Sequence, residues 1–317
     1  MPTQTSAEQA GCCKFLASAL PFGYGRRTVD MRAAVVALLF VAACGPTSGQ
    51  GSTPLPPPNP PTAALASWKD FPANTNPRPI IWLGDVYEHV DGFSTNDGKI
   101  NWLCGKFVLG QGVELPATGP ARAAARWPSG AEASYGSLGA QTAFTALLAA
   151  RNSATGSSCT TAAPEVITAV RWGTAGFATD RGTAQMSAWL FDVGGVNGEL
   201  GYPALDPLAY WGGGKTTSSG GIGGRISSDG HLLTIGLTGG PDTPGPCGED
   251  FSASAAESDT AVAVAISSRI HGGPNVACTL EGHVRSVQVR LIRPLGGRVL
   301  VDAQGNAGSV CPETGDC

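Results

Sequence analysis

Val287-Gln288-Val289-Arg290-Leu291 alternates apolar and polar side chains near the C-terminal end of the chain. Successive side chains of a β-strand point to opposite faces, so this pattern predicts a strand with one face in a core. The same alternation puts Val262, Val264 and Ile266 on one side of a second predicted strand, Thr260–Ile266. Strands of this kind decide the fold class of the C-terminal part.

Short turn sequences separate these predicted strands. Asp229-Gly230 favours a hairpin turn before Leu233, Ile235 and Leu237, and Pro294–Gly297 precedes the apolar run Val299–Val301. Several short strands joined by Gly and Pro turns are typical of an antiparallel sandwich. We therefore predict a β-sandwich-like lobe at residues 225–317.

The preceding part of the chain mixes strand and helix patterns. Ala140–Arg151 is the one clear helix, because its apolar residues recur at helical spacing. Trp102–Leu109, Val166–Trp172 and Met186–Phe191 resemble strands, and Asn197-Gly198 resembles a hairpin turn. We predict an α+β lobe at residues 67–211 and a Gly-rich loop or linker at 212–224, hence a mainly β (α+β), antiparallel, two-lobe fold.

Val41-Ala42-Ala43-Cys44 closes an apolar run and fits a bacterial lipobox, in which the cysteine thiol carries a diacylglyceryl group. Residues 31–43 then form the signal peptide, with Met31-Arg32 as its basic start. Residues 1–30 are interpreted as a doubtful extension from a mis-assigned start. Two alternatives stay open: a twin-arginine signal at Arg26-Arg27, and an uncleaved anchor, which this short apolar run fits poorly.

Residues 44–66 are rich in Pro, Gly and Ser, and this composition predicts a disordered, extended tether behind the lipidated cysteine. The prediction places the protein on the extracytoplasmic face of the cell membrane, held by its lipid. Two acyl chains give stable attachment. Because the acidic balance of the chain argues against adhesion to anionic headgroups, the lipid is the only membrane contact we expect.

The charge of the chain excludes some classes of partner. The sequence carries 20 Lys and Arg against 24 Asp and Glu, a net charge of −4, and shows no basic stripe. Nucleic-acid binding therefore has no electrostatic footprint. No cofactor is predicted, and the oligomeric state is left open; a cell-wall component or a protein is the partner we expect.

Six cysteines follow the lipid site, an even number that indicates disulfides in an exported domain. Proximity in the sequence and the two-lobe organisation favour three pairs, although the connectivity stays open. Metal-ligand spacings such as Cys-x-x-Cys do not occur, so no metal site is predicted. The favoured pairs are Cys104–Cys159, Cys247–Cys278 and Cys311–Cys317.

Few residues form a pattern that points to chemistry, and no catalytic residue is assigned. Asp85, Glu88, His89 and Asp91 form the richest polar cluster, which could exchange protons or bind a hard cation; a solvated strand and turn is the simpler interpretation. The four residues are retained as speculative ligand-binding residues.

Asp180-Arg181 and Trp189 are weighed in the same way. Arg181 could bind a ligand carboxylate or phosphate, although an ion pair that stabilises a turn is favoured. Trp189 and Phe191 share one face of a predicted strand and could stack on a sugar, although core packing is favoured.

Four segments and one cysteine are distinctive as a set: Phe177–Gly182, Ala188–Phe191, Glu257–Val264, Cys278 and Val289–Asp302. Together they resemble a family of uncharacterised actinobacterial secreted lipoproteins. Ser187 departs from the proline expected before Ala188. The resemblance implies an exported, lipid-anchored, β-rich domain and carries no assigned activity.

Two function classes follow from these observations. The first is a lipid-anchored, non-catalytic binding or interaction module of the cell envelope. The alternative is a secreted hydrolase of cell-wall or extracellular polymers, whose residues meet only in the fold.

Overall fold

The computed structural model describes residues 54–84, 86–151, 159, 162–212, 221–272, 276–279 and 281–314. Cys44, the predicted signal peptide, Asp85 and Cys317 lie outside these residues. The first part of the described chain forms a seven-stranded sheet. Its strands are β1 (Tyr87–Phe93), β2 (Phe107–Leu109), β3 (Ala123–Arg126), β4 (Glu132–Tyr135), β5 (Glu165–Thr179), β6 (Gly182–Val193) and β7 (Val196–Pro203).

The long hairpin of β5 and β6 is the centre of this sheet. Its strands pair antiparallel from Ile167↔Val193 to Thr179↔Gly182. On its side away from β5, β6 pairs with β3 and with β7. On its side away from β6, β5 pairs in parallel with β2. The hairpin therefore brings its turn, Asp180-Arg181, to one end of the sheet.

Two α-helices accompany the sheet in the described residues: α1 (Asn96–Leu103) and α2 (Ala140–Arg151). Helix α2 has the predicted bounds, and Phe144 and Leu147 are buried against the sheet. Helix α1 was not predicted. Its last two residues, Trp102 and Leu103, begin an apolar run through Leu109 that resembles a strand. The Thr95 hydroxyl accepts a hydrogen bond from the Gly98 N–H (3.0 Å) and caps α1.

The predicted hairpin turn at Asn197-Gly198 is wrong by three residues. The turn between β6 and β7 lies at Gly194-Gly195, where Gly195 has φ +78°. Glycine adopts positive φ without steric cost, so this pair forms the turn. Asn197 and Gly198 instead pair with β1, opposite Gly92 and Val90, where the strand has an irregular register.

The C-terminal part contains β8 (Gly223–Ile226), β9 (Leu232–Gly239), β10 (Glu249–Glu257), β11 (Ala261–Ile270), β12 (His283–Arg290), β13 (Val299–Val301) and β14 (Ser309–Pro312). These strands form a four-stranded sheet, β12-β9-β8-β14, and a three-stranded sheet, β10-β11-β13. The predicted hairpin turn at Asp229-Gly230 is present between β8 and β9.

The two C-terminal sheets share one core. Val287 and Val289 of β12 and Ile235 of β9 pack with Val262 and Val264 of β11. Burying the alternate apolar residues of two facing sheets is the arrangement of a sandwich. The predicted fold class, mainly β with an α+β part and a sandwich-like C-terminal part, is confirmed.

The segment before β1 joins the sandwich to the seven-stranded sheet. Ile80 and Trp82 pack in the core of the seven-stranded sheet, whereas Ile81 packs with β11 and β13. A 3-10 helix, Thr62–Trp68, also packs on the sandwich, with Ala64 buried. The tether predicted through residue 66 therefore differs from the structure at its end, because small and aromatic residues there bury apolar surface.

Two of the predicted disulfides are present. Cys104 is bonded to Cys159, and Cys247 is bonded to Cys278. Cys311 is also disulfide-bonded, but its predicted partner Cys317 lies outside the described residues. The predicted linker at 212–224 falls for the most part on residues 213–220, which are likewise outside them.

Candidate functional site

The polar cluster predicted on β1 does not converge on one point. His89 and Asp91 lie on the same face of the strand, with Nε2 and Oδ1 3.2 Å apart. More than half of each side chain is exposed. The pair is therefore a solvated surface contact.

Glu88 lies on the opposite face of β1 and supports the fold. Its carboxylate accepts hydrogen bonds from Trp102 Nε1 (3.0 Å) and from the guanidinium of Arg151, at the end of α2. The carboxylate thereby connects α1, α2 and β1. Because successive side chains of a strand point to opposite faces, Glu88 and His89 cannot both contact one substrate atom. These two residues therefore do not form the predicted acid/base site.

Trp189 is a core residue. It is 5% exposed, packs with Phe191 in the core around α2, and donates a hydrogen bond from Nε1 to the Leu138 carbonyl (2.9 Å). The ring therefore offers no face to a sugar, and the predicted preference for core packing is correct.

Asp180 forms a buried ion pair where the seven-stranded sheet meets the sandwich. Its carboxylate accepts a hydrogen bond from Arg78 Nη2 (2.5 Å) and another from the Ile81 N–H (3.3 Å). The side chain is 2% exposed. Arg78 also donates to the Gly297 carbonyl of the sandwich (2.6 Å). Asp180 thus pairs most closely with Arg78, which is distant in the sequence, and the predicted ion pair with the adjacent Arg181 is also present, at 3.8 Å.

Arg181 lies beside this pair with its guanidinium carbon 3.7 Å from the ring centroid of Trp127. Its Nε and Nη2 atoms are buried and have no hydrogen-bond partner among the described residues; Asp180 Oδ1 is 3.8 Å from Nε. Burial lowers the pKa of Arg181, but a guanidinium stays charged in proteins.

A third arginine belongs to the sandwich side of the same junction. Arg298 donates from Nη1 to Glu257 (2.8 Å), and both side chains are buried. Glu257 also accepts hydrogen bonds from the Ile292 N–H (2.6 Å) and the Arg293 N–H (3.3 Å). This carboxylate therefore holds the loop between β12 and β13 in place.

A cavity of about 200 Å³ lies between these groups. Three guanidinium groups adjoin it while two carboxylates pair with them, so one positive charge is left uncompensated. Apolar side chains and the ends of β8 and β14 complete the wall. The lining residues are Arg78, Ser129, Asp180, Arg181, Ile226, Leu295, Gly296, Arg298, Val310, Cys311 and Pro312.

The sequence pointed to Asp180 and Arg181 but not to the arginines that complete this site, Arg78 and Arg298. Arg78 stands between Pro77 and Pro79, and Arg298 follows a glycine pair. Neither setting predicts a buried arginine, because the partners Asp180 and Glu257 are far away along the chain. The only signal in the sequence for a buried arginine at these positions was a charged residue among mostly apolar neighbours.

We expect Glu257→Gln to destabilise the protein at neutral pH and much less in acid. Burial alone would raise the pKa of Glu257, but the hydrogen bonds from Ile292, Arg298 and Arg293 outweigh it and lower the pKa from its usual 4.5. A carboxylate with a depressed pKa stabilises the fold above that usual value and loses this effect as the pH falls through its folded value.

Urea unfolding of the wild type and Glu257→Gln at pH 7 and pH 3 measures this effect. The exposed Glu132, which pairs with Arg126 at the surface, provides the control substitution Glu132→Gln. A stability difference for Glu257→Gln that is the same at both pH values would contradict the assignment.

Within the described residues, no group of three or more His, Cys, Asp or Glu side chains is placed to hold a metal ion. Comparison with known proteins gives no match, whether to a protein-family model, a curated protein or a solved structure. The resemblance to secreted lipoproteins stays a prediction. The proposed function therefore rests on the residues at the junction of the seven-stranded sheet and the sandwich.

Proposed function

We propose that this chain is a lipid-anchored extracytoplasmic protein whose β-rich domain binds a ligand in the cavity between the seven-stranded sheet and the sandwich. The observation that carries the binding role is the cavity itself, where the guanidinium groups of Arg78, Arg181 and Arg298 outnumber the two carboxylates that pair with them. Ligand sites are concave, mostly apolar and contain a few well-placed polar groups.

The disulfides support the extracytoplasmic location. Cys104–Cys159 and Cys247–Cys278 indicate an oxidising environment, because thiols stay reduced in the cytosol of most organisms. In the described part of the chain, no helix has the length and apolar character needed to cross a membrane. The lipobox at Cys44 supports a lipid as the anchor.

The chemistry of the junction favours binding over catalysis. An arginine stays protonated and therefore donates hydrogen bonds without acting as a base. Asp180 and Glu257 each accept several hydrogen bonds from protein donors, so both carboxylates already have partners. The hydrolase alternative requires a carboxylate free to exchange a proton with a substrate, and no observation at the junction favours it.

Anchoring is tested with Cys44→Ser in cells fed a labelled fatty acid. We expect the wild type to carry the label and to sediment with membranes, and Cys44→Ser to lose both properties, because serine has no thiol to form the thioether. Ser48→Ala, four residues after the lipobox cysteine, is the control, and we expect it to behave as the wild type. Label and sedimentation retained by Cys44→Ser would overturn the anchoring part of the proposal.

The binding role has a separate test. The purified protein is titrated by calorimetry with benzoate, benzamide and benzylamine, which share a ring and differ in charge. Binding of any one of them at the cavity supports a ligand site. Because the anchor and the cavity are measured independently, the failure of one part leaves the other to stand.

A further inference from the structure

We propose that the proline-rich segment Pro54–Pro60 is fixed on the sandwich, so that the end of the sandwich closed by the Cys247–Cys278 disulfide faces the lipid surface. We call this segment the strap. The inference rests on the anchoring part of the proposed function. It adds an orientation to the anchor, because one defined surface of the domain then lies opposite the membrane.

The first argument is the face of the three-stranded sheet on which the strap lies. Ala253 and Ala255 of β10 face the sandwich core, so the alternate residues of β10 and their partners on β11 face away from it. All these outward residues have short side chains, which lets another part of the chain approach the sheet closely. The cross-strand pairs are Ser252–Ser267, Ser254–Ala265 and Ala256–Ala263.

The second argument is that the chain crosses this face at two places. The Ser252 hydroxyl donates a hydrogen bond to the Pro56 carbonyl (2.9 Å). Further along the chain, Ala64 of the 3-10 helix packs with Ala256. Ser254 lies between these two contacts, and its hydroxyl oxygen is buried. The strap and the 3-10 helix therefore cover the outer face of β10 from Ser252 to Ala256.

The third argument is the composition of the strap. Five of its seven residues are proline, and proline-rich segments stay extended and semi-rigid. A chain that is already extended loses little conformational entropy when it docks, so one hydrogen bond together with close packing can hold it.

The direction of the chain decides which end of the sandwich is nearest to the anchor. Along the strap and the 3-10 helix the chain runs from Ser252 toward Ala256, which is the direction of β10 itself. The chain therefore enters the domain at the start of β10. Glu249 begins this strand, two positions after Cys247, and pairs with Ile270.

Docking of the strap also limits how far the domain can stand from the lipid. A fully extended chain covers at most about 3.6 Å per residue, so the chain from Cys44 to Pro56 spans at most about 43 Å. A free chain as far as Ala66 would allow roughly 80 Å. The strap therefore holds the Cys247–Cys278 end closer to the lipid surface than a free tether would.

The test measures energy transfer from the lipidated protein to phosphatidylcholine vesicles in which it is reconstituted with an acceptor-labelled lipid. A donor fluorophore is attached to Ile270→Cys or to Ile292→Cys, at isoleucines that are 57% and 85% exposed. Ile270 lies at the start of β10, whereas the Ile292 N–H donates to Glu257 at its end. Position 292 is therefore the matched control at the opposite end of the sandwich.

The two ends of the nine-residue strand β10 are about 27 Å apart. We therefore expect transfer from position 270 to be at least about twofold more efficient than transfer from position 292. Replacing Pro54–Pro60 with a Gly/Ser sequence of equal length should remove the difference, because Gly/Ser chains are flexible. Equal transfer from the two positions with the native strap, stronger transfer from position 292, or an unchanged difference after the replacement would overturn the orientation.

A second measurement examines the strap in detergent, without a membrane. The thiol of Ser254→Cys should react with maleimide at least about tenfold more slowly than that of Ser268→Cys, because Ser254 Oγ is buried and Ser268 is exposed. Mass spectrometry of the labelled peptides gives the two rates, and the Gly/Ser replacement should remove the protection. Equal rates with the native strap would overturn its docking. Protection at position 254 with no energy transfer from either position would overturn the anchoring and leave the docked strap.

Discussion

Asp180→Ala is expected to lower the free energy of unfolding by about 3–5 kcal/mol, the range found when one partner of a buried ion pair is removed. The substitution leaves the Arg78 guanidinium buried without its carboxylate and the Ile81 N–H without its acceptor. Both groups lie where the seven-stranded sheet meets the sandwich, so the loss affects the contact between them. Urea unfolding followed by far-UV circular dichroism measures the change.

The control for this prediction is an ion pair of the same type at the surface. Arg126 and Glu132 are 3.1 Å apart, and more than half of each side chain is exposed. Exposed pairs contribute about 0–1 kcal/mol, so Glu132→Ala should have a small effect. Asp180→Asn keeps the shape of the side chain and should fall between the two. A loss for Asp180→Ala no larger than that for Glu132→Ala would contradict the structural role of the pair.

Removing the Cys104–Cys159 disulfide with a double serine substitution should cost about 4 kcal/mol. The two cysteines are 55 residues apart, and the chain-entropy estimate of disulfide stabilisation grows with the logarithm of the closed loop. Cys247 and Cys278 are 31 residues apart, so removing their disulfide should cost about half a kcal/mol less.

Denaturant unfolding of the two double variants, each beside the wild type, gives these values. The wild type in excess reductant is the reference for the loss of all bridges and should be the least stable sample. Losses below about 1 kcal/mol for both variants would contradict the stabilising role of the bridges.

Four strands of the sandwich, β9, β11, β12 and β13, could be predicted because their signal is local. Val287 and Val289 alternate with polar residues, and one face of β12 is buried while the other meets solvent. Asp229-Gly230 formed the predicted turn because Gly230 has φ +75°, a conformation that glycine adopts readily. Local pattern and tertiary environment agree in these elements.

The predictions failed where two local signals competed. Asn96–Leu103 has no clear apolar period, and its helix depends on the Thr95 cap and on burial of Trp102. Two glycine-containing pairs could each form the turn between β6 and β7, and Gly194-Gly195 was selected because Asn197 and Gly198 pair with β1. Pairing with a distant strand decides such cases, and single-segment patterns do not contain it.

The sequence alone predicted β9, β11, β12 and β13 of the sandwich and the bounds of α2, and it favoured the two disulfide pairs that are present, because alternation, helical spacing and proximity are properties of short segments. The junction site depends on the tertiary structure. Arg78 and Asp180 are 102 positions apart, and the excess positive charge of the junction depends on which carboxylates the fold brings near its three arginines. A charged side chain becomes a binding group through its neighbours in space, and the packing of the sheet against the sandwich sets those neighbours.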